Sequence, residues 1–176
     1  MSAVVLLAIA LVAVVVVGAA AAQTRRRRRA RYVGRGRILV PFAGALDPTV
    51  LDAAIRIARA EEALLVPAYL LVVPLQYPED SERKEQVARA LPLLEAVELA
   101  ASRAGVPVDA RIEKGRSPTH ALQRLWGEEH FDRILAPAPN GRSGGFTAKD
   151  VTWILVHAPA ETIVLKPSPN GAQQAA

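Results

Sequence analysis

The chain has 176 residues, 51% of them apolar and 22% charged, with a formal net charge of +5 and no cysteine. The missing cysteines exclude disulfides, thiolate metal sites and cysteine nucleophiles. The positive charge is local: eight of the 22 Lys and Arg residues fall within Arg25–Arg37, and without them the remainder is about −3, which argues against a basic nucleic-acid-binding face.

The first element is an uncharged, mostly aliphatic run from Ala3 to Ala22, followed by Gln23-Thr24 and five arginines, Arg25–Arg29. A helix of about 20 residues spans roughly 30 Å, the hydrocarbon thickness of a bilayer. Residues 1–23 therefore read as one transmembrane helix and 24–36 as a polybasic juxtamembrane linker. Arginines beside a span stay on the cytoplasmic side, so the N-terminus is expected outside and the rest inside. A cleaved signal peptide is the competing reading, with Ala20-Ala21-Ala22 as its site. It lacks the basic leader such a segment carries. Membrane lipid is the expected partner of residues 3–22 and, through its anionic headgroups, of Arg25–Arg29.

From Arg37 to Pro167 short apolar runs alternate with amphipathic stretches, enough chain for one buried core. Arg37–Pro41 reads as a strand buried on both faces. Asp47-Pro48 supplies an N-cap and first helical residue, with Leu51, Ala54, Ile55 and Ala58 on the buried face. A second strand lies within Ala63–Val73. A second helix is expected from about Asp80 to Ala104, with Val87, Leu91, Leu94 and Val97 inward, Gly105 at its end, and Pro92 kinking or shortening its first half. Val106–Glu113 alternates as a half-exposed edge strand. Ser117-Pro118 begins a third helix carrying Ala121, Leu122, Leu125 and Trp126. Phe131–Ala136 is the fourth strand. Thr147-Ala148-Lys149-Asp150 resembles a capping box before a short helix with Val151, Ile154 and Leu155. Glu161–Lys166 is the last strand, and residues 168–176 form a polar tail expected to be disordered. The order β-α-β-α-β-α-β-α-β specifies a three-layer α/β fold with right-handed crossovers.

Ile38-Leu39-Val40-Pro41, Lys114-Gly115-Arg116-Ser117-Pro118, Gly141-Arg142-Ser143-Gly144 and His157-Ala158-Pro159, in this order and spacing, resemble the universal stress protein family. The resemblance covers residues 37–167. It implies a five-stranded parallel sheet of order 3-2-1-4-5, a homodimer paired through the last strand and, in many members, ATP binding. Nucleotide-binding members look like a glycine, two residues, a second glycine, nine residues, then glycine and serine or threonine. Gly141 and Gly144 fit the opening. Ile154-Leu155 stand where the ending should be, or Ala148-Lys149 after a shift of alignment. Binding members also end their first strand in aspartate and glycine near the adenosine, at positions that follow Pro41. Here that pair is Ala43-Gly44, so the carboxylate is missing.

A weakened phosphate loop remains chemically open. Gly141, Gly144 and Gly145 let backbone N–H groups face an anion, and the helix beginning near Thr147 directs its positive end there. Arg142, Ser143, Thr147 and Lys149 could add charge and hydrogen bonds. The plainer alternative is a glycine-rich connection that only turns the chain. No cofactor is firmly expected, and ATP is expected only in weakened form.

His120, His130 and His157 share no metal-ligand spacing, so no metal site is expected. Glu61-Glu62 and Glu128-Glu129 read as solvated helix ends. Trp126 and Trp153 read as core or dimer contacts. No catalytic constellation emerges. The expectation is a membrane-anchored, non-catalytic regulatory or sensory module, acting on a membrane transporter or kinase, with a degraded nucleotide or anion loop. An ATP-binding universal stress protein or a nucleotide-hydrolysing enzyme of this fold is the alternative, and a ligand-free scaffold a third reading.

Overall fold

The computed structural model describes residues 36–78, 83–139 and 146–166. The chain divides into two units, Met1–Gly34 and Arg35–Ala176, and all described residues lie in the second. Among them no helix is long and apolar enough to cross a membrane. The expected span at residues 3–22, the linker arginines and the tail lie outside the described residues.

The elements run β1 (Arg37–Phe42), α1 (Pro48–Ala60), β2 (Leu64–Val72), α2 (Lys84–Arg103), β3 (Arg111–Gly115), α3 (Pro118–Glu128), β4 (Arg133–Pro137), α4 (Ala148–His157) and β5 (Glu161–Leu165). Local chemistry explains most of the helix starts. Asp47 accepts from the Thr49 N–H at 2.8 Å, with Pro48 at the first helical position. Ser117 accepts from the His120 N–H at 3.1 Å. Thr147 and Asp150 complete a reciprocal capping box. Helix α2 ends through Gly105 at φ +74°, with the Val106 N–H returning to the Ala101 carbonyl at 2.9 Å. That left-handed turn favours glycine.

All strands pair in parallel, in the order β3-β2-β1-β4-β5. Right-handed crossovers that leave β1 in one direction and return to β4 in the other place helices on both faces of the sheet. On one face Ile38, Val40, Leu65 and Leu135 pack with Ala54, Ile55 and Ala58 of α1 and Ala101 of α2. Alternate residues of the same strands, Leu39 and Ile134, point to the opposite face and are fully buried. Helices α3 and α4 cover that second face with Ala121, Leu122, Leu125, Val151 and Ile154. No polar or charged residue among those described is classed as buried.

Several expectations need correction. Helix α2 starts at Lys84, four residues after Asp80, and no side chain caps it. It is not shortened at Pro92, which lies inside it on the exposed side. Its buried stripe is Ala90, Leu94, Val97 and Ala101, whereas Leu91 is 47% exposed. Leu155 likewise faces outward on α4. Pairing near β3 begins with a Leu65–Val108 bridge, breaks at Ala110, and resumes at Arg111, so β3 lies later than Val106–Glu113.

Candidate functional site: the crevice at the carboxyl ends of β1 and β4

In an open parallel sheet a ligand site falls outside the carboxyl ends of strands where the chain order reverses. Here that point lies between β1 and β4. One edge comes from β1, where Pro41 pairs with Ala68 and Ala43 is 8% exposed. Gly44 follows at φ +79° and turns the chain out of the strand. The β1 edge therefore ends in a buried methyl group at Ala43, with no carboxylate at this position. The other edge is the segment after β4, tied to β5 by the Ala138 N–H on the Leu165 carbonyl at 2.8 Å. Gly141, Arg142, Ser143, Gly144 and Gly145 lie outside the described residues.

Thr147 heads α4, but its polar groups are engaged. Its N–H and hydroxyl both donate to Asp150 Oδ2, at 2.8 and 2.7 Å, and its Oγ1 accepts from the Asp150 N–H at 3.2 Å. In this arrangement the Thr147 hydroxyl serves the helix cap. The Asp150 carboxylate also occupies the positive end of the helix, where a phosphate would otherwise gain from the dipole. Lys149 is exposed on the same turn. Among the described residues, an anion here would meet Lys149 and the remaining first-turn amides, against a carboxylate already in place.

The segment after β2 lies at the same, carboxyl end of the sheet, and Arg116 holds it. Its Nη1 donates to the carbonyls of Pro74 at 2.8 Å, Tyr77 at 2.9 Å and Val73 at 3.3 Å. The Arg83 guanidinium carbon lies 4.6 Å from the Tyr77 ring centroid, in cation–π contact. The Gly115 backbone can approach α3 only because it has no side chain: a Cβ there would stand 2.5 Å from the Ala121 nitrogen. The Arg116-Ser117-Pro118 sequence marked a helix start but gave no sign of this brace.

A network of ion pairs lies at the opposite, amino end of the sheet. Glu129, expected as a solvated helix end, is 9% exposed at its side chain and joins two strands. Arg37 Nη2 donates to Glu129 Oε2 at 2.6 Å, and Arg111 Nη1 donates to Glu129 Oε1. Arg111 Nη2 also binds Asp109 Oδ2 at 2.6 Å. Burial alone would push the Glu129 carboxyl up, but the hydrogen bonds from Arg111 and Arg37 outweigh it and hold the group below its ordinary value. Burial pushes Glu113 up, partly offset by Arg111. Arg133 similarly joins Glu161, at 2.7 Å, to Glu61. These are structural clasps without a reactive group.

Among the described residues no cluster of His, Asp and Glu could hold a metal ion. His120 accepts from the Arg116 N–H at 3.2 Å, and His157 Nδ1 lies 2.9 Å from the Trp153 carbonyl. Trp126 and Trp153 stack at 5.4 Å between centroids and His157 continues the stack at 4.7 Å. The two tryptophans thus bridge α3 and α4.

Sheet order, helix placement and the position of the crevice define the fold of the universal stress proteins. A universal stress protein family member from Burkholderia pseudomallei is 22% identical over 76% of this chain and 96% of its own, with a TM-score of 0.56. A universal stress protein solved in complex with cAMP is 18% identical over 76% and 98% of the two chains, with a TM-score of 0.60. A universal stress protein family protein from Arabidopsis thaliana, with AMP bound, is 16% identical over 77% and 94%, with a TM-score of 0.54. At these identities the likeness is one of fold. No family model matches the sequence, and no curated protein matches it.

Proposed function

We propose that the chain is a membrane-tethered, non-catalytic regulatory module of universal-stress fold, with a crevice that retains only weak affinity for adenine nucleotides. The observation that carries this reading is the pairing of a shared fold with an altered crevice. Two fold neighbours hold cAMP and AMP, while this chain presents Ala43 at the end of β1 and a capping carboxylate at the head of α4. Tethering by residues 3–22 concentrates the domain at the membrane surface, where effective concentration replaces intrinsic affinity for a transporter or kinase. The β5 edge and the exposed Leu155 and Val156 of α4 support the expectation of a homodimer through the last strand.

Calorimetry of the full chain with ATP, AMP and cAMP in the presence of magnesium tests the crevice. The expected result is binding much weaker than micromolar, the latter corresponding to about −8 kcal/mol, with no turnover. Ala43→Asp should tighten ATP binding about tenfold, as one added hydrogen bond to a charged group would. Micromolar binding by the unaltered chain would restore the alternative of an intact ATP site. Steady phosphate release that vanishes in Asp150→Asn would overturn the non-catalytic assignment.

A further inference from the structure

Helix α2 is apolar on two opposite sides. The inner stripe, Ala90, Leu94, Val97 and Ala101, is buried. Across the helix Ala88, Pro92, Ala96 and Leu99 are exposed, Leu99 by 53% and the flanking Leu91 by 47%. At 3.6 residues per turn these form a second continuous line, where a surface helix ordinarily carries charge. Pro92 belongs to this outer line, and with no N–H to give it leaves the Ala88 carbonyl as an acceptor on the same face.

The charges framing the line select its occupant. Glu85 and Arg103 are both exposed and stand eighteen residues apart, five full turns, so they mark opposite ends of one line. Lys84 and Arg89 are matched by Glu95 and Glu98, all exposed. A balanced frame does not suit an anionic lipid surface, which selects helices with a basic polar face. Its two end charges, Glu85 and Arg103, are complementary to those of a reversed copy. We propose that the outer face of α2 is the docking surface for α2 of a second copy of this chain, antiparallel about a two-fold axis near Leu94 and Glu95. Glu85 of each copy then meets Arg103 of the other. Ala88, Pro92 and Ala96 let the backbones approach closely, Leu99 packs within the same line, and Leu91 closes one flank. The interface is isologous, each copy offering the same patch. It uses a surface far from the β5 edge and does not depend on nucleotide binding. The two Glu95 carboxylates come close across the axis and repel.

The absence of native cysteine allows a direct test by single-cysteine cross-linking of the full chain in membranes. Ala96→Cys, beside the axis, should form a disulfide-linked dimer on mild oxidation. Glu85→Cys, at the end of the line, should cross-link at least tenfold less, because its counterpart in an antiparallel pair lies five turns away. Adding Leu99→Glu to Ala96→Cys should reduce the dimer at least tenfold, and adding Glu95→Gln should raise it. All these side chains are exposed, so the fold is expected to survive each change. A monomeric Ala96→Cys chain overturns the proposal, as does equal cross-linking of Glu85→Cys and Ala96→Cys. Efficient cross-linking by Leu155→Cys with none from α2 would assign pairing to the β5 side and overturn it as well.

Discussion

Glu129 shows how much a single side chain can organise when its partners are distant in sequence. It lies 92 residues from Arg37 and 18 from Arg111, and nothing in the Glu128-Glu129 dipeptide distinguishes it from a solvated helix end. Glu129→Ala would leave two guanidinium groups short of a partner and should cost about 2 kcal/mol, read by urea denaturation. The pH dependence has a definite sign. A carboxyl whose folded-state value is lowered contributes stability above its ordinary 4.5, and that contribution is lost as pH falls below it. Wild type should therefore lose stability on acidification below about 4.5, and Glu129→Gln should flatten that part of the curve. Glu113, raised by burial, acts in the opposite direction and gains stability on protonation. Ser117 was legible because capping is local chemistry. Ser117→Ala should cost about 1 kcal/mol in a thermal melt.

At the level of elements, legibility followed locality. Asp47-Pro48, Ser117-Pro118 and the Thr147–Asp150 box each carry their own start signal, and these three helices begin where the sequence placed them. Helix α2 lacks a capping side chain, so no local signal marks its start at Lys84. Its apolar residues on both sides leave the inward face ambiguous in the sequence, and the spacing that points Leu91 inward differs by one residue from the buried Ala90. The edge strand β3 moved because pairing with β2 decides its register, and the alternation of Val108, Ala110 and Ile112 continues across the break. The contact of β3 with α3 supplies a sharp test. Gly115→Ala would drive a methyl group to 2.5 Å from the Ala121 nitrogen. It should destabilise by about 2 kcal/mol, lowering the melting temperature by several degrees.

For the molecule as a whole, sheet order came from motif resemblance, because the alternation of elements alone leaves strand order open among several doubly wound arrangements. The absence of a carboxylate at Ala43 is legible in the sequence itself. The engagement of Thr147 by Asp150 depends on side-chain geometry that a capping motif only suggests. Orientation is tested at this scale: a reporter fused after Ala176 should be active on the cytoplasmic side, and activity on the other side would reverse the expected topology.

The amino-end clasp has a mechanical consequence. Arg37 opens the central strand and is the point where any pull transmitted through the preceding residues enters the domain. Its N–H is held by Asp132 at 2.7 Å, its guanidinium by Glu129, and its strand is flanked by parallel neighbours on both sides. Traction along β1 would therefore strain two rows of main-chain bonds together, in shear, and could not peel them apart one by one. A domain leashed from that end should resist force better than the same domain hauled from β5 at the border of its sheet.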